Sequence, residues 1–252
     1  MNNGYLFSYI IGYRHSSERL NNLRRVLDWL KGFQGIEIII VEQDVVSKLS
    51  SFTLPGVKHV FTKSDMPYNR SWAFNVGLKH TCSNVVVFGD SDLVMDPMEL
   101  IESLKLVEQY DCVSPYKAVL DLTQQESQMQ IQDFKNISRP GRGETDNQKI
   151  NLCGGIVIYK KEAIIKIGGW CEEFIGWGGE DNFQEHKTKT YLTHYEASYR
   201  CYHLWHHRGA PDNKWYARTM ELLNKLVGLN RNDLEKQIQT SLPKIGLTNK
   251  YS

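Results

Sequence analysis

Two acidic pairs and a histidine cluster carry the chemistry open to this chain. In VVVFGDSDLVMDP, Asp90 and Asp92 follow directly on an apolar run. Alternate residues of an extended segment point the same way, so both carboxylates can face one ligand. Two acids so placed repel unless a cation or donor lies between them. A hard divalent ion, magnesium or manganese, suits them, with the task of holding a diphosphate. Later, YHLWHHR supplies His203, His206 and His207. Imidazole favours manganese over magnesium, and His203 and His206 could meet one centre where the segment turns. His206 is the preferred ligand. The second acidic pair, Glu180 and Asp181, lies in FIGWGGEDNFQEHK. A solvated loop would use glycines and acids without tryptophan, and a core segment would use tryptophan without acids. The mixture predicts a binding site.

The elements that must position these residues alternate along the first third. LFSYIIGY reads as a buried strand, and SSERLNNLRRVLDWLKGF has apolar residues on one helical face, capped by Ser16 or Ser17 with Glu18 in the first turn. IEIIIVEQD is the continuous apolar run of a strand buried on both faces. VKHVF, NRSWAFNVGLKHT and NVVVFGD continue as strand, helix and strand, which predicts a doubly wound, mainly parallel sheet. Ligands of such sheets bind beyond the carboxyl ends of the strands. That rule selects Tyr13 to His15, Glu42 to Asp44 and Gly89 to Asp92. Residues 117–150 are rich in Gln, Ser, Asn and charge, and read either as a plain insertion or as a mobile lid. GGIVIYKKEAIIKIGGW returns to strand, helix and a double-glycine stop. Residues 211–252 read as a helical extension, with Trp215, Leu222, Leu223, Leu226 and Val227 as packing candidates, after a main domain of residues 1–210.

Composition narrows the class. The 252 residues allow one large α/β domain, and 41% hydrophobic with 23% charged residues is ordinary for a folded chain. A net charge of +1 gives no bulk signal for nucleic acid or a membrane surface. The five cysteines form no CxxC pair, which predicts neither a disulfide framework nor a zinc site and fits a reducing cytosol. The apolar N-terminal stretch is too short to cross a bilayer and lacks the charge and cleavage pattern of an export signal.

Together these residues resemble the nucleotide-sugar glycosyltransferases of the GT-A fold, and within them the β-1,4-galactosyltransferase and chondroitin-polymerase-like type. IEIIIVEQD, YNRSWAFNVGLKHT, FGDSDLV and the block GGIVIYKKEAIIKIGGWCEEFIGWGGEDN carry the likeness, which spans roughly Leu6 to Arg208. The last block is the most specific. The resemblance implies a metal-dependent, inverting transfer of a monosaccharide from a nucleoside-diphosphate sugar, of the UDP type, to a hydroxyl of a saccharide acceptor. By the same resemblance Asp181 is the general base and Glu180 holds an acceptor hydroxyl. Asp92 and His206 ligate Mn2+ or Mg2+, and His203 falls where some relatives use a methionine ligand. Asp90 touches the donor sugar or ribose, while Arg70 and Asn75 contact the diphosphate and support the sugar site. Tyr13, Arg14, Glu42 and Asp44 fall at the donor end of the sheet, with Glu42-Gln43-Asp44 where the family has an acidic pair for uracil. Trp177 offers a flat face to a pyranose, and Gly178 and Gly179 let the backbone approach it.

Three alternatives stand beside this reading: a transferase acting on a hydroxylated base in nucleic acid, a retaining polypeptide N-acetylgalactosaminyltransferase-like enzyme, and a non-catalytic sugar-binding protein. A nucleotidyltransferase of the same fold would carry a Gly-rich phosphate loop near the first strand, which GYRHSSER lacks.

Overall fold

A computed structural model describes residues 6–51, 55–145, 149–207 and 213–251. The first strands and helices are β1 (Phe7–Tyr13), α1 (Ser17–Leu30), β2 (Ile36–Asp44), β3 (Val57–Lys63), α2 (Arg70–Lys79) and β4 (Val85–Gly89). β5 (Leu93–Met95), α3 (Pro97–Lys105), β6 (Cys112–Ser114) and β7 (Ala118–Asp121) follow. Next come β8 (Val157–Lys160), α4 (Lys161–Lys166), α5 (Glu180–Tyr191), β9 (His194–Glu196) and β10 (Arg200–His203). The chain closes with α6 (Asn213–Val227) and α7 (Arg231–Ser241).

The main sheet has seven strands in the order β3-β2-β1-β4-β8-β6-β9, and β3, β2, β1 and β4 run parallel. β8 enters antiparallel between β4 and β6. This is the mixed, mainly parallel α/β arrangement that the alternating strands and helices predict. The Ile/Val run of β2 is buried on both faces, as its unbroken apolar pattern predicts. Ser16 caps α1 by accepting from Arg19 N at 3.2 Å, and Asn69 caps α2 by accepting from Trp72 N at 2.8 Å. α2 is buried from Arg70 to Leu78, an internal helix rather than an amphipathic one.

A second sheet, not foreseen from the sequence, has the order β5-β10-β7. It explains residues 117–150. Their described part is woven into this sheet through β7, the bridge between Val119 and Arg142, and Phe134, which is fully buried. Ion pairs of Arg139 with Glu126, Arg142 with Asp121 and Arg200 with Glu144 fasten the rest. The polar composition reflects these pairs; residues 146–148 of the expected lid lie outside the described residues.

Two helices, α6 and α7, lie where the sequence reads helical, and the expected boundary at 210/211 lies outside the described residues. Leu223 and Leu226 pack with Phe174, Phe183, Leu234 and Ile238, whereas Val227 faces outward. Residues past α7 return to α2, where Leu247 O accepts from Trp72 Nε1 at 2.8 Å and Tyr251 meets Trp72 edge-on. The five cysteines are free thiols. Among the described residues no helix is long and apolar enough to cross a membrane.

Candidate active site

Strand register brings Asp92 and the histidines together across more than a hundred positions. β5 starts just after Asp92 and pairs antiparallel with β10, setting Leu93 opposite His203. Leu204 N donates to Asp92 O at 2.8 Å and turns the chain so that His206 comes back over the same carboxylate. The turn is pinned from α1, where Glu18 accepts from His207 N and Asn22 donates to Trp205 O.

His206 Nε2 lies 3.3 Å from Asp92 Oδ2, and His203 Nε2 lies 3.8 Å from Asp92 Oδ1. One ligand atom from each of the three residues falls within 4.8 Å of the others. Among the described residues this is the one such group of His, Cys, Asp and Glu. His206 Nδ1 is 3.0 Å from His207 O, which can only accept, so Nδ1 carries a proton; Nε2 donates to Asp92 when the ring is protonated and offers its lone pair when the ring is neutral. A carboxylate with two imidazole lone pairs is a donor set suited to manganese or another first-row ion, so these residues fit the metal. Burial alone would raise Asp92, but the hydrogen bond from His206 and the nearby imidazoles outweigh it and hold the carboxyl below its usual range. The same contact raises His206.

The other acid of the pair goes elsewhere. The chain turns between β4 and β5, so Asp90 does not share Asp92's partners; its Oδ1 accepts from Arg70 Nε at 2.7 Å. Arg70 also donates through Nη1 to Asp181 Oδ1 and through Nη2 to Gly155 O at 3.2 Å, with its guanidinium 4.6 Å from the Phe74 ring centre. Sequence reasoning set Arg70 against a diphosphate. In the structure its guanidinium is buried and joins Asp90 to Asp181 from the first turn of α2.

Asp181 opens α5, next to Glu180 and after Gly178 and Gly179. Both glycines hold positive φ, 106° and 88°. A Cβ at Gly179 would lie 2.8 Å from Phe174, so the glycines serve a tight turn packed on the protein itself. Both glycines also line the cavity beside Asp181. Burial pushes Asp181 up to about 7, with Arg70 opposing and Glu180 and Asp90 adding to the rise. Burial likewise raises Glu180, whose Oε2 accepts from Gly178 N at 3.1 Å, and Asp90.

Asp90, Glu180, Asp181, Trp177 and His203 line one cavity of about 420 Å3. His203 is also a wall of a second cavity, about 330 Å3, shared with Asp121, Trp205, His206 and His207. Trp177 is 66% exposed and stacks on Tyr216 of α6 with ring centres 5.6 Å apart.

Several predicted residues stand apart from these walls. The Glu42 carboxylate is fully buried and accepts from Ser47 Oγ, Lys48 N and Leu49 N, with His59 Nε2 at 2.9 Å. Its lone pairs are spent on the loop after β2, so no oxygen remains for a base. Asp44 accepts from its neighbour Val45 N. Tyr13 is buried against His15, and Arg14 donates to Met66 O at 2.6 Å, pinning the segment before α2. The Asn75 amide brackets Trp170 N and O and Glu172, so it supports the GGW turn from behind rather than touching a ligand.

Sequence reasoning missed Tyr216, Tyr116, Asp121 and Arg142. Tyr216 and Tyr116 line the large cavity, and Asp121 touches His203. Asp121 ends a β-branched and apolar run, AVLD, a signal that could have marked it; Tyr216 carried none.

Residues 144–206 match a family model described as the N-terminal domain of galactosyltransferase, and this segment contains Trp177, Asp181 and both histidines. No curated protein matches the chain by sequence. Among solved structures, the catalytic domain of Drosophila β1,4-galactosyltransferase 7 complexed with xylobiose is similar with a TM-score of 0.53 and 16% identity, covering 90% of this chain and 82% of that one. A mutant of that enzyme complexed with manganese, UDP-Gal and xylobiose gives 0.50 and 13%, covering 82% and 77%. TarS of S. aureus gives 0.59 and 15%, covering 94% and 70%.

Proposed function

We propose that this chain is a metal-dependent, inverting glycosyltransferase that moves a monosaccharide from a UDP-type sugar donor to a hydroxyl of a saccharide acceptor. The observation that carries the reading is the shared cavity: Asp181, Asp90 and His203 line one space of about 420 Å3. The galactosyltransferase segment match and the fold support it, as do the manganese, UDP-Gal and xylobiose named for its structural neighbours.

Asp92, His203 and His206 are the residues that would hold Mn2+ or Mg2+. When bound, the ion supplies positive charge for the departing nucleoside diphosphate. The histidine side of the site therefore receives the diphosphate and the acidic side receives the sugars. Arg70 occupies Asp181 Oδ1, leaving Oδ2 to take the proton from the attacking hydroxyl. Arg70 also keeps the carboxylate ionisable near neutrality, against the burial that raises it. Glu180 holds an acceptor hydroxyl, and the Trp177–Tyr216 stack offers an apolar face to a pyranose. A single displacement with Asp181 as base inverts the anomeric centre.

The test is release of UDP from UDP-sugars with Mn2+ and a saccharide acceptor, with the product anomer read by NMR. Asp181→Asn is expected to lower turnover by roughly two to four orders of magnitude while donor binding persists. Unchanged turnover would remove Asp181 from the role of base, and no UDP release from any donor would leave a sugar-binding protein.

A further inference from the structure

The small sheet brings together three residues from three distant parts of the chain. β10 pairs with β5 so that His203 faces Leu93, next to Asp92, and pairs parallel with β7 so that His203 faces Asp121. Cross-strand partners project to the same face, so His203 and Asp121 stand side by side, while Asp92, in the turn just before β5, reaches the other edge of the His203 ring. His203 Nδ1 lies 3.1 Å from Asp121 Oδ1, while its Nε2 points to Asp92 Oδ1 at 3.8 Å. Asp121 is itself held by a fork. Arg142 donates through Nε to Oδ2 at 2.8 Å and through Nη2 to Oδ1 at 3.2 Å, and Arg139 Nη2 reaches the Asp121 carbonyl at 2.7 Å.

We propose that Asp121, locked in place by Arg142, is a positioning residue for the metal centre: it accepts the Nδ1 proton of His203 and so fixes the tautomer and ring angle that present Nε2 to the cation. The inference rests on the metal reading given under Proposed function and assigns a task to the 117–150 segment. The physical case is that an imidazole ligates through one nitrogen only when the other carries the proton. A carboxylate on that other nitrogen both enforces this state and raises the basicity of the ligating one. His206 solves the same problem with a backbone carbonyl, the oxygen of His207. His203 sits on a strand whose carbonyls are used by the sheet, so a side chain must do it. Arg142 matters because a free aspartate at a partly exposed sheet edge would swing between rotamers, whereas a bidentate guanidinium fixes the carboxylate plane.

The experiment is titration of the full chain with Mn2+ alone, with no donor, following free Mn2+ by EPR. The variants are Asp121→Asn, His203→Ala, their combination, and Asp121→Asn with Arg142→Met. Asp121→Asn is expected to weaken Mn2+ binding about 10- to 100-fold, with the melting temperature in EDTA unchanged. In the His203→Ala background the same change should add less than about twofold, because the residue acts only through that ring. Should the single variant melt early from its unpaired guanidinium, the double variant with Arg142→Met removes both charges and is expected to show the same loss of affinity. Affinity within about threefold of wild type in the folded Asp121 variants overturns the proposal, as does an equal loss with and without His203. Loss of binding in His203→Ala but not in Asp121→Asn sinks this inference alone, whereas a wild-type chain that takes up no Mn2+ sinks the metal reading with it.

Discussion

Arg70 is the residue on which the acidic half of the site turns. Its guanidinium is buried, bonds Asp90 and Asp181 directly, and lies within the field of Glu180. Removing one partner of a buried ion pair leaves charge without compensation and costs about 3–5 kcal/mol. Arg70→Met should therefore lose stability of that order in urea unfolding at neutral pH, and lose less at pH 4, where protonated carboxyls no longer repel. An equal loss at both pH values would mean that packing on Phe74 and Trp170, not charge, is what the arginine supplies. The same cluster sets a pH prediction. With Asp181 pushed up to about 7, the base is protonated and idle below that value. Turnover at saturating Mn2+ should rise about tenfold per pH unit up to pH ~7 and then level. A rate flat from pH 5 to 8 would contradict it. Residue types made part of this legible in sequence, since only acids and histidines can hold a cation or take a proton. They could not show that Glu42 spends its lone pairs on its own loop, or that Arg70 bonds both Asp90 and Asp181. An acid at a strand end looks the same whichever partner it has.

At the scale of elements, the site is a meeting of a turn, a three-strand sheet and a helix from the far end of the chain. The long apolar strands β1, β2 and β4 could be read because burial on both faces writes an unbroken run. β5 and β10 have three and four residues, too few for a period to emerge, and β7 runs into a Gln- and Ser-rich stretch. Their pairing nevertheless decides which residues meet. α6 was legible as a helix but not as a wall of the cavity. Its Tyr216 is 40% exposed and stacks on Trp177 at an interplanar angle of 23°, and both rings line the cavity. Tyr216→Ala should free the indole and raise the acceptor KM roughly two- to tenfold, the loss expected from one aromatic pair, while donor hydrolysis without acceptor stays near wild type. If donor hydrolysis falls in parallel, the stack serves the donor or the fold rather than the acceptor.

For the whole molecule, the proposed cation ties together side chains of parts whose backbones are already joined by the β5–β10 ladder and by bonds from α1. Asp92 belongs to the turn leaving the main sheet at β4, His203 to the small sheet, and His206 to a turn held by α1. The core clusters that stabilise the chain are apolar and need no ion: one spans α1, β1, β2 and the small sheet and runs up to Leu93, Tyr202 and Leu204 beside the junction, and another buries α2 and β8 around Trp170. The fold should therefore stand without the ion and gain stability with it, by mass action alone. At a hundredfold excess of Mn2+ over its Kd the gain is about 2.7 kcal/mol. For a chain of this length that is roughly 5–10 °C in Tm. The check is a pair of melting curves in EDTA and in Mn2+, repeated for Asp92→Ala. The wild type should melt cooperatively in EDTA and shift upward with Mn2+, and the variant should keep the first behaviour and lose the second. A shift that survives in Asp92→Ala would place the ion elsewhere, and collapse of the wild type in EDTA would make the metal part of the fold rather than of the site.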